Sequence, residues 1–281
     1  MIVITGATGH LGRIVVTGLL DTLPADQIVA VTRSPEKAAD LGVAVRHADY
    51  DEPDTLPAAL EGADTVLLIS GSEVGQRVRQ HQAVIDAARK AGVARLVYTS
   101  ILNAGRPLVL APEHLATEEA IAESGLTFTI LRNGWYHENY RQAIEQAVRT
   151  GGFAGSAGHG RVASAARADF AAAAVAALTT GGHDDKVYEL SGDTAWTYAD
   201  LATEIAAVTG KPVTYTDLSP GEHRAALAAA GLPEDLAGFL VAVEQDIKHG
   251  LLGDVTGDLR ALTGRPTTPI RDTVAEVVSS L

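Results

Sequence analysis

Three glycines near the start of the chain have the type and spacing to bind a phosphate group. Gly6, Gly9 and Gly12 follow the apolar run "IVIT" and stand directly before a segment with helical apolar spacing. Residues without Cβ allow a sharp strand-to-helix turn, close approach of a phosphate, and tight packing of the helix on the strand. The helix N-terminus adds unpaired N–H groups and the positive end of its dipole. The segment therefore predicts a dinucleotide site.

The spacing of these glycines is a weak signal by itself in a chain with 28 glycines,. Its position between a strand and an amphipathic helix makes the prediction much stronger. We expect the whole turn to contact the cofactor through Gly6, Ala7, Thr8, Gly9, His10, Leu11 and Gly12.

The end of the second predicted strand indicates which dinucleotide is bound. An acidic residue there would hold the ribose 2′-OH of NAD, but "VAVTRSPEK" carries Arg33, Ser34 and Lys37 instead,. A guanidinium suits a 2′-phosphate, so we expect NADPH; a solvated loop arginine is the alternative. Asp49, at the end of the third strand, is expected either near the adenine amino group or as a strand-end cap.

The stretch "TGATGHLG" resembles the fingerprint of extended and atypical short-chain dehydrogenases/reductases. Members of this class that act on alcohols or simple carbonyls usually carry Tyr-x-x-x-Lys after the fifth strand, preceded by a serine. Thr99 and Ser100 offer the hydroxyl, but the helix reads "HLATE", from His114 to Glu118. We interpret His114 and Glu118 as a pair on the helix surface, because two ligands without a third do not make a metal site.

The missing tyrosine and lysine limit the reaction. Hydride delivery to an ordinary ketone makes an alkoxide, which needs a positioned acid because the pKa of its conjugate acid is close to that of water, about 15.7. Hydride delivery to a quinone makes a phenolate-like anion, and the pKa of its conjugate acid is close to that of tyrosine, about 10. The difference of roughly six pKa units means that the quinone reaction needs about 8 kcal/mol less help from a proton donor. A quinone fits this chain, and so does NADPH binding without chemistry.

The sixth predicted strand ends in "LRNGWYHENY", where three aromatic residues gather. Trp135, Tyr136 and Tyr140 could stack a flat quinone at the carboxyl edge of the sheet, or pack between two lobes,. We expect Trp135 and Tyr136 to orient the ring, and Asn139 or His137 to stabilise the developing oxyanion. Hydrogen-bonding groups are available on Asn133, His137, Glu138 and Asn139.

The fourth predicted strand is followed by a small, close-approach loop. In "ISGSEVG", Ser70, Gly71 and Ser72 are expected beside the nicotinamide half of the cofactor, with a simple turn as the alternative. Strand ends at this edge of a doubly wound sheet are where ligands bind.

Alternating strand and helix patterns over the first 130 residues predict an α/β fold with a doubly wound parallel sheet. The strands are continuous apolar runs, which is typical of strands buried on both faces. We assign residues 1–150 to a dinucleotide-binding Rossmann domain and 151–281 to a smaller, mainly helical substrate-capping lobe. The return of one strand from this lobe to the sheet stays open. Asp169 is the predicted N-cap of the helix in "ARADFAAAAVAAL",.

Composition excludes several classes of protein. The formal net charge of −13 argues against nucleic acid or an anionic membrane as a partner, and no apolar run reaches the ~18 residues of a membrane span,. With no cysteine, disulfides and thiolate chemistry are excluded,. The first predicted strand begins at Ile2, so we expect no signal peptide and a cytoplasmic location. Whether the protein forms a homodimer stays open.

Five stretches together resemble the NmrA-like atypical short-chain dehydrogenases, and among these the bacterial type 2 NAD(P)H:quinone oxidoreductases. The stretches are "TGATGHLG", "VTRSPEKA", "ISGSEVGQR", "VYTS" and "LRNGWYHENY". The resemblance implies NADPH-dependent, two-electron reduction of quinones without flavin or metal. It also implies cofactor contacts at Gly6 to Leu11, Arg33, Ser70 to Ser72, and the run Asn133, Gly134, Trp135, Tyr136, His137 and Glu138. The alternative is a redox sensor that binds NADP(H) without turnover, as other NmrA-like proteins do.

Overall fold

A parallel sheet of seven strands, in the order β3-β2-β1-β4-β5-β6-β8, forms the centre of the computed structural model, which describes residues 1–281. Its strands are β1 (Ile2–Ile4), β2 (Ile28–Thr32), β3 (Ala44–His47), β4 (Thr65–Leu68), β5 (Arg95–Ile101), β6 (Thr127–Asn133) and β8 (Lys186–Leu190). Every residue of β2 is buried, as expected of a strand covered on both faces,. The predicted doubly wound α/β fold is confirmed.

Some of the eleven α-helices of the chain cover the two faces of this sheet. The helices are α1 (His10–Leu20), α2 (Leu56–Ala59), α3 (Arg77–Ala91), α4 (Ala111–Glu123), α5 (Arg141–Thr150), α6 (Arg167–Thr179), α7 (Tyr198–Thr209), α8 (Pro220–Ala229), α9 (Glu234–Lys248), α10 (Asp258–Thr263) and α11 (Ile270–Ser279). On one face, Leu19 of α1 and Phe170 of α6 belong to the same buried core. On the other face, Ile85 of α3 and Ile121 of α4 pack with the sheet.

The chain beyond residue 150 contributes to two layers. It adds α6 and β8 to the main sheet and its cover, and β8 pairs with β6 in parallel. It also forms a second, two-stranded parallel sheet from β7 (Gly152–Gly155) and β9 (Thr214–Asp217). A third core lies beside this small sheet and contains several aromatic rings, including Tyr140 and Trp196 at 4.8 Å between centroids.

The beginning of α6 differs from the prediction. The N-cap is Ala166, and the helix begins at Arg167, so Asp169 lies in its first turn. The buried Asp169 carboxylate instead accepts the N–H of Thr268 at 2.8 Å and lies 2.8 Å from the Arg265 guanidinium. The predicted N-cap was therefore wrong, because Asp169 connects α6 to the C-terminal segment rather than capping its own helix.

The strand order reverses direction between β1 and β4. From β1 the chain continues outward through β2 and β3, and it then crosses over to β4 on the other side of β1. In open α/β sheets such a reversal opens a crevice at the carboxyl ends of the strands, where ligands bind. No helix is long and apolar enough to cross a lipid bilayer.

Candidate dinucleotide and acceptor site

One cavity of about 630 Å³ lies in this crevice, within the range of about 300–1,000 Å³ usual for ligand sites,. It extends from the glycine turn after β1, past the ends of β2, β4 and β5, to the loop after β6. The predicted site residues that line it are Gly6, Thr8, Gly9, His10, Leu11, Gly12, Arg33, Asp49, Ser70, Gly71, Ser72, Asn133, Gly134, Trp135, Tyr136 and Asn139. Ala7, His137 and Glu138 are not part of its wall.

The glycine turn has the backbone geometry that close approach requires. Gly6 has a φ of +63°, in the left-handed region that favours glycine,. A Cβ on Gly12 would lie 2.3 Å from the carbonyl oxygen of Gly6, so only glycine lets α1 pack this close to the turn. Gly9 is the N-cap of α1, no side chain caps the helix and no acid lies in its first turn. The N-terminal N–H groups are thus available to an anion.

Two cations line the end of the cavity next to β2. Arg33 and Lys37 follow β2, and Arg33 stands at the position where an acidic residue would hold the ribose 2′-OH of NAD. The Arg33 side chain is 64% exposed, and its guanidinium lies 3.3 Å from the carboxylate of Glu73. Asp49 lines the same region just after β3 and accepts the backbone N–H of Asp51 at 3.0 Å. This end of the cavity can therefore hold a 2′-phosphate by charge.

Hydrogen bonds between the loop backbone and neighbouring side chains hold the loop Ser70–Ser72 in place. Its first N–H donates to the Thr99 hydroxyl at 3.0 Å, and the next donates to Nε2 of His81 at 3.0 Å. The Arg77 guanidinium donates to the carbonyl of Gly71 at 2.7 Å. Burial lowers the pKa of His81 to about 4, so its ring is neutral and can accept the loop N–H,. The loop is thus pre-organised beside the cavity.

Asn133 and Tyr136 form the far wall of the cavity with Trp135. The amide nitrogen of Asn133 donates to the Tyr136 hydroxyl at 3.3 Å, while its Oδ1 is buried without a hydrogen-bond partner. Tyr136 packs on Phe170, and the Arg167 guanidinium lies 5.1 Å from its ring centroid. Burial raises the pKa of the Tyr136 phenol, so it stays neutral at neutral pH,.

The other polar residues of this loop face in different directions. His137 is buried, with Nε2 3.0 Å from the carbonyl of Ser164 and Nδ1 3.3 Å from the hydroxyl of Thr273. Glu138 accepts the N–H of Arg167 and so supports the start of α6. Asn139 is exposed and lines the cavity. In the structure, therefore, only Asn139 of these three faces the cavity.

Tyr140 is not part of the aromatic wall. Its ring is buried against Trp196 and Tyr198, at 4.8 and 5.6 Å between centroids, in the core of the smaller lobe. Of the three aromatic residues gathered in the sequence, only Trp135 and Tyr136 line the cavity. The prediction that Tyr140 could stack a ligand there was wrong, and Tyr140 instead packs inside the third core, beside the small sheet.

The expected surface pair on α4 is buried. Glu118 accepts two hydrogen bonds from the Arg132 guanidinium, at 2.6 and 3.0 Å, and one from the Ser100 hydroxyl. His114 lines the cavity, and its Nδ1 lies 2.8 Å from the Tyr98 hydroxyl. The surface interpretation was wrong, because β5 and β6 supply hydrogen-bond partners that allow His114 and Glu118 to be buried. Glu118 is already paired and cannot serve as the lysine would.

Sequence reasoning gave no role in the cavity to several residues of its wall, among them Arg167, Tyr50 and His114. Arg167 begins α6, far along the chain from Tyr136, and no local pattern indicates their contact. Tyr50 donates to the carbonyl of Ile69 at 3.2 Å and closes the wall beside β4. His114 did carry a signal, because it takes the place of the tyrosine in the Tyr-x-x-x-Lys spacing.

These residues fit a nicotinamide dinucleotide. The cavity offers a glycine cradle at a helix N-terminus, a cationic end, and an unpartnered buried amide oxygen on Asn133 at the other end. The chain belongs to the NAD(P)H-binding family, whose model matches residues 6–181.

Relatives define the branch of this family more closely. The chain is 50% identical to quinone oxidoreductase 2 of Escherichia coli (strain K12) over 285 residues, covering 100% of this chain and 98% of that protein. It superposes on the crystal structure of the Escherichia coli NADPH-dependent quinone oxidoreductase QOR2 complexed with NADPH with a TM-score of 0.96, at 48% identity over 99% of this chain and 100% of that chain.

A fungal relative links the chain to the NmrA-like group. The NmrA-like family domain-containing oxidoreductase flvB of Aspergillus flavus is 31% identical over 293 residues, covering 98% of this chain and 94% of that protein. The resemblance read from the sequence, to NmrA-like proteins and to type 2 quinone oxidoreductases, is confirmed.

Proposed function

We propose that this chain is an NADPH-dependent oxidoreductase that reduces quinones to hydroquinones in one two-electron step. The observation that carries the proposal is a single cavity that joins the glycine turn and Arg33 to two aromatic residues, Trp135 and Tyr136. The relatives named quinone oxidoreductase 2 and QOR2 support the same activity.

Each end of the cavity would hold a different part of the cofactor. The N-terminus of α1 suits the pyrophosphate, and Arg33 with Lys37 suits the 2′-phosphate,. The loop Ser70–Ser72 and Asn133 would bind the nicotinamide end, where the buried Oδ1 of Asn133 can accept a carboxamide N–H. When bound, NADPH supplies the hydride.

The acid–base groups of the site favour a quinone over an ordinary carbonyl. His114 and Glu118 replace the tyrosine and lysine, and Glu118 is occupied by Arg132. A reduced quinone is a phenolate-like anion whose conjugate acid has a pKa near 10. It therefore needs about 8 kcal/mol less help from a proton donor than an alkoxide does. Reduction of a quinone ring that lies against Trp135 and Tyr136 depends more on the orientation of the ring than on a strong acid.

We propose further that turnover needs neither flavin nor metal, and that the protein works in the cytoplasm. No group of three or more histidine, cysteine, aspartate or glutamate side chains is arranged to hold a metal ion. Purified protein without absorbance near 450 nm, dialysed against EDTA, should retain full NADPH–quinone activity. Activity that appears only after adding flavin or a divalent metal would contradict this part of the proposal.

The main test is steady-state NADPH oxidation against benzoquinone, menadione, an aromatic aldehyde and an aliphatic ketone. We expect rapid turnover with the quinones and little or none with the ketone, because only the quinone can form a weakly basic anion. NADPH binding is measured separately by quenching of protein fluorescence. Protein that binds NADPH but oxidises it with no quinone would overturn the proposal and favour the sensor alternative.

A further inference from the structure

His114 is a buried cavity residue that the proposed function leaves without a role. It lies in the first turns of α4, is 6% exposed, and contributes to the wall of the cavity near the end of β5. Its Nδ1 is 2.8 Å from the hydroxyl of Tyr98, a fully buried residue of β5. Nδ1 is the ring nitrogen that contacts the chain, which leaves Nε2 for a molecule in the cavity that the residue lines.

The protonation state of this ring is set by its surroundings. Burial, together with the nearby Arg77 and His81, lowers the pKa of His114 to about 3, so the imidazole is neutral at neutral pH,. Burial raises the pKa of the Tyr98 phenol, which keeps its proton. A phenol is a better donor than acceptor toward an imidazole nitrogen, so Tyr98 donates to Nδ1 and the ring hydrogen is on Nε2.

Neighbouring hydrogen bonds support this arrangement. His81 accepts the N–H of Gly71 at Nε2 and donates from Nδ1 to Thr117 at 3.0 Å. Thr117 in turn donates to the carbonyl of Glu113 at 2.8 Å, so its own hydrogen is used. Since these groups satisfy one another, the hydroxyl hydrogen of Tyr98 is left for His114.

We propose that His114 is a catalytic residue that donates its Nε2–H as a hydrogen bond to the quinone oxygen that becomes anionic on reduction. The inference rests on the proposed function. The quinone gains two electrons and one hydrogen as hydride from NADPH, which leaves as NADP⁺. The hydroquinone monoanion then takes its second proton from water. The imidazole keeps its hydrogen throughout, because losing it would leave a strongly basic imidazolate.

Tyr98 acts in this scheme as a positioning residue. Its hydroxyl fixes which nitrogen of His114 carries the hydrogen and which way the ring faces,. The pair differs from a tyrosine–lysine couple because it stabilises negative charge with a neutral donor and transfers no proton. Such a donor is sufficient only for a weakly basic oxyanion.

The kinetic test compares His114→Leu with the wild-type chain and with His183→Leu. His183 is also a buried histidine, but it bonds Thr180 and Tyr188 and lies outside the cavity wall. We expect His114→Leu to lower kcat/KM for menadione about 10- to 100-fold, the usual effect of removing one hydrogen bond to developing charge. NADPH affinity in both variants, measured by fluorescence quenching, should stay within about twofold of wild type.

A second readout needs no turnover. 4-Nitrophenol, bound to protein saturated with NADP⁺, mimics the oxyanion, and its ionisation is followed by the absorbance of the phenolate. The pKa of the bound phenol should be about one to two units lower in wild type than in His114→Leu, the same 10- to 100-fold effect. Tyr98→Phe, which removes one oxygen atom, should give a smaller change in the same direction in both experiments.

The outcomes separate the two proposals. Wild-type protein that binds NADPH without reducing any quinone overturns the proposed function. Wild-type turnover together with unchanged kcat/KM and unchanged phenol pKa in His114→Leu overturns only the role of His114, as does a loss confined to NADPH affinity. If circular dichroism shows that His114→Leu does not fold, Tyr98→Phe decides alone, and unchanged values in that variant overturn the inference.

Discussion

At the scale of a single side chain, we expect Arg33 to determine the cofactor preference. Its guanidinium is largely exposed and pairs with Glu73 at the mouth of the cavity. Exposed ion pairs contribute little stability, so a phosphate can replace this carboxylate at small cost. We expect Arg33→Asp to raise the KM for NADPH at least about 10-fold through lost attraction and added repulsion. The KM for NADH, which lacks the 2′-phosphate, should change little.

Glu73→Gln is the matched control for Arg33→Asp. It removes the competing carboxylate without touching the guanidinium, so the KM for NADPH should stay the same or fall. Steady-state kinetics with both cofactors and one quinone give the ratio of the KM for NADH to the KM for NADPH directly. If Arg33→Asp kept the wild-type discrimination between NADPH and NADH, Arg33 would be a solvated loop residue.

The loop after β6 shows where residue-level prediction stops. Residues His137–Tyr140 form a 3₁₀ turn, in which side chains three apart share a face,. His137 and Tyr140 are therefore both buried away from the cavity, while Tyr136 and Asn139 both line it. The sequence shows that polar and aromatic residues gather here, but it contains no sign of the turn type that divides them.

At the scale of elements, the strands were predictable and the buried polar contacts were not. Continuous apolar runs such as β2 can be read directly, because a strand covered on both faces excludes polar residues,. The face of α4 that carries His114 and Glu118 looks polar, and only the partners on β5 and β6 make its burial possible. Those partners come from other elements, so no local pattern reveals them.

The junction of β1 and α1 leads to a prediction for Gly12. A Cβ there would lie 2.3 Å from the oxygen of Gly6 and 2.8 Å from Cα of Ala7, and both are backbone atoms that cannot move aside cheaply. We expect Gly12→Ala to lower the free energy of unfolding by about 1–3 kcal/mol and to weaken NADPH binding, because α1 must shift from the turn. Urea unfolding and fluorescence titration measure the two effects.

Gly221→Ala is the control for Gly12→Ala. Gly221 is an exposed residue of α8, and a Cβ there would meet no atom within 4 Å. Its replacement should be neutral or stabilising by up to about 1 kcal/mol, because alanine favours a helix more than glycine does. Equal behaviour of the two variants would mean that the contact at Gly12 does not constrain the turn.

At the scale of the whole molecule, buried histidines make stability depend on pH. Burial lowers the pKa of His81 and His137 to about 4 and that of His114 to about 3, against about 6.5 in an unfolded chain,. As the pH falls from about 6.5 to about 4, the unfolded chain binds protons that the folded chain does not. The free energy of unfolding must therefore decrease over this range.

The decrease should approach about 1 kcal/mol per pH unit for each histidine, well below pH 6.5. Glu244 and Asp246 oppose it, because burial raises the pKa of both carboxyls and the folded chain binds those protons first. The three histidines outweigh these two carboxyls, so urea unfolding at pH 7.5, 6.5 and 5.5 should show a net loss at the lowest pH. His137→Gln should reduce the slope by about one proton. A free energy of unfolding that stays constant from pH 7.5 to 5.5 would mean that these histidines become protonated without unfolding, and that their burial does not keep them neutral.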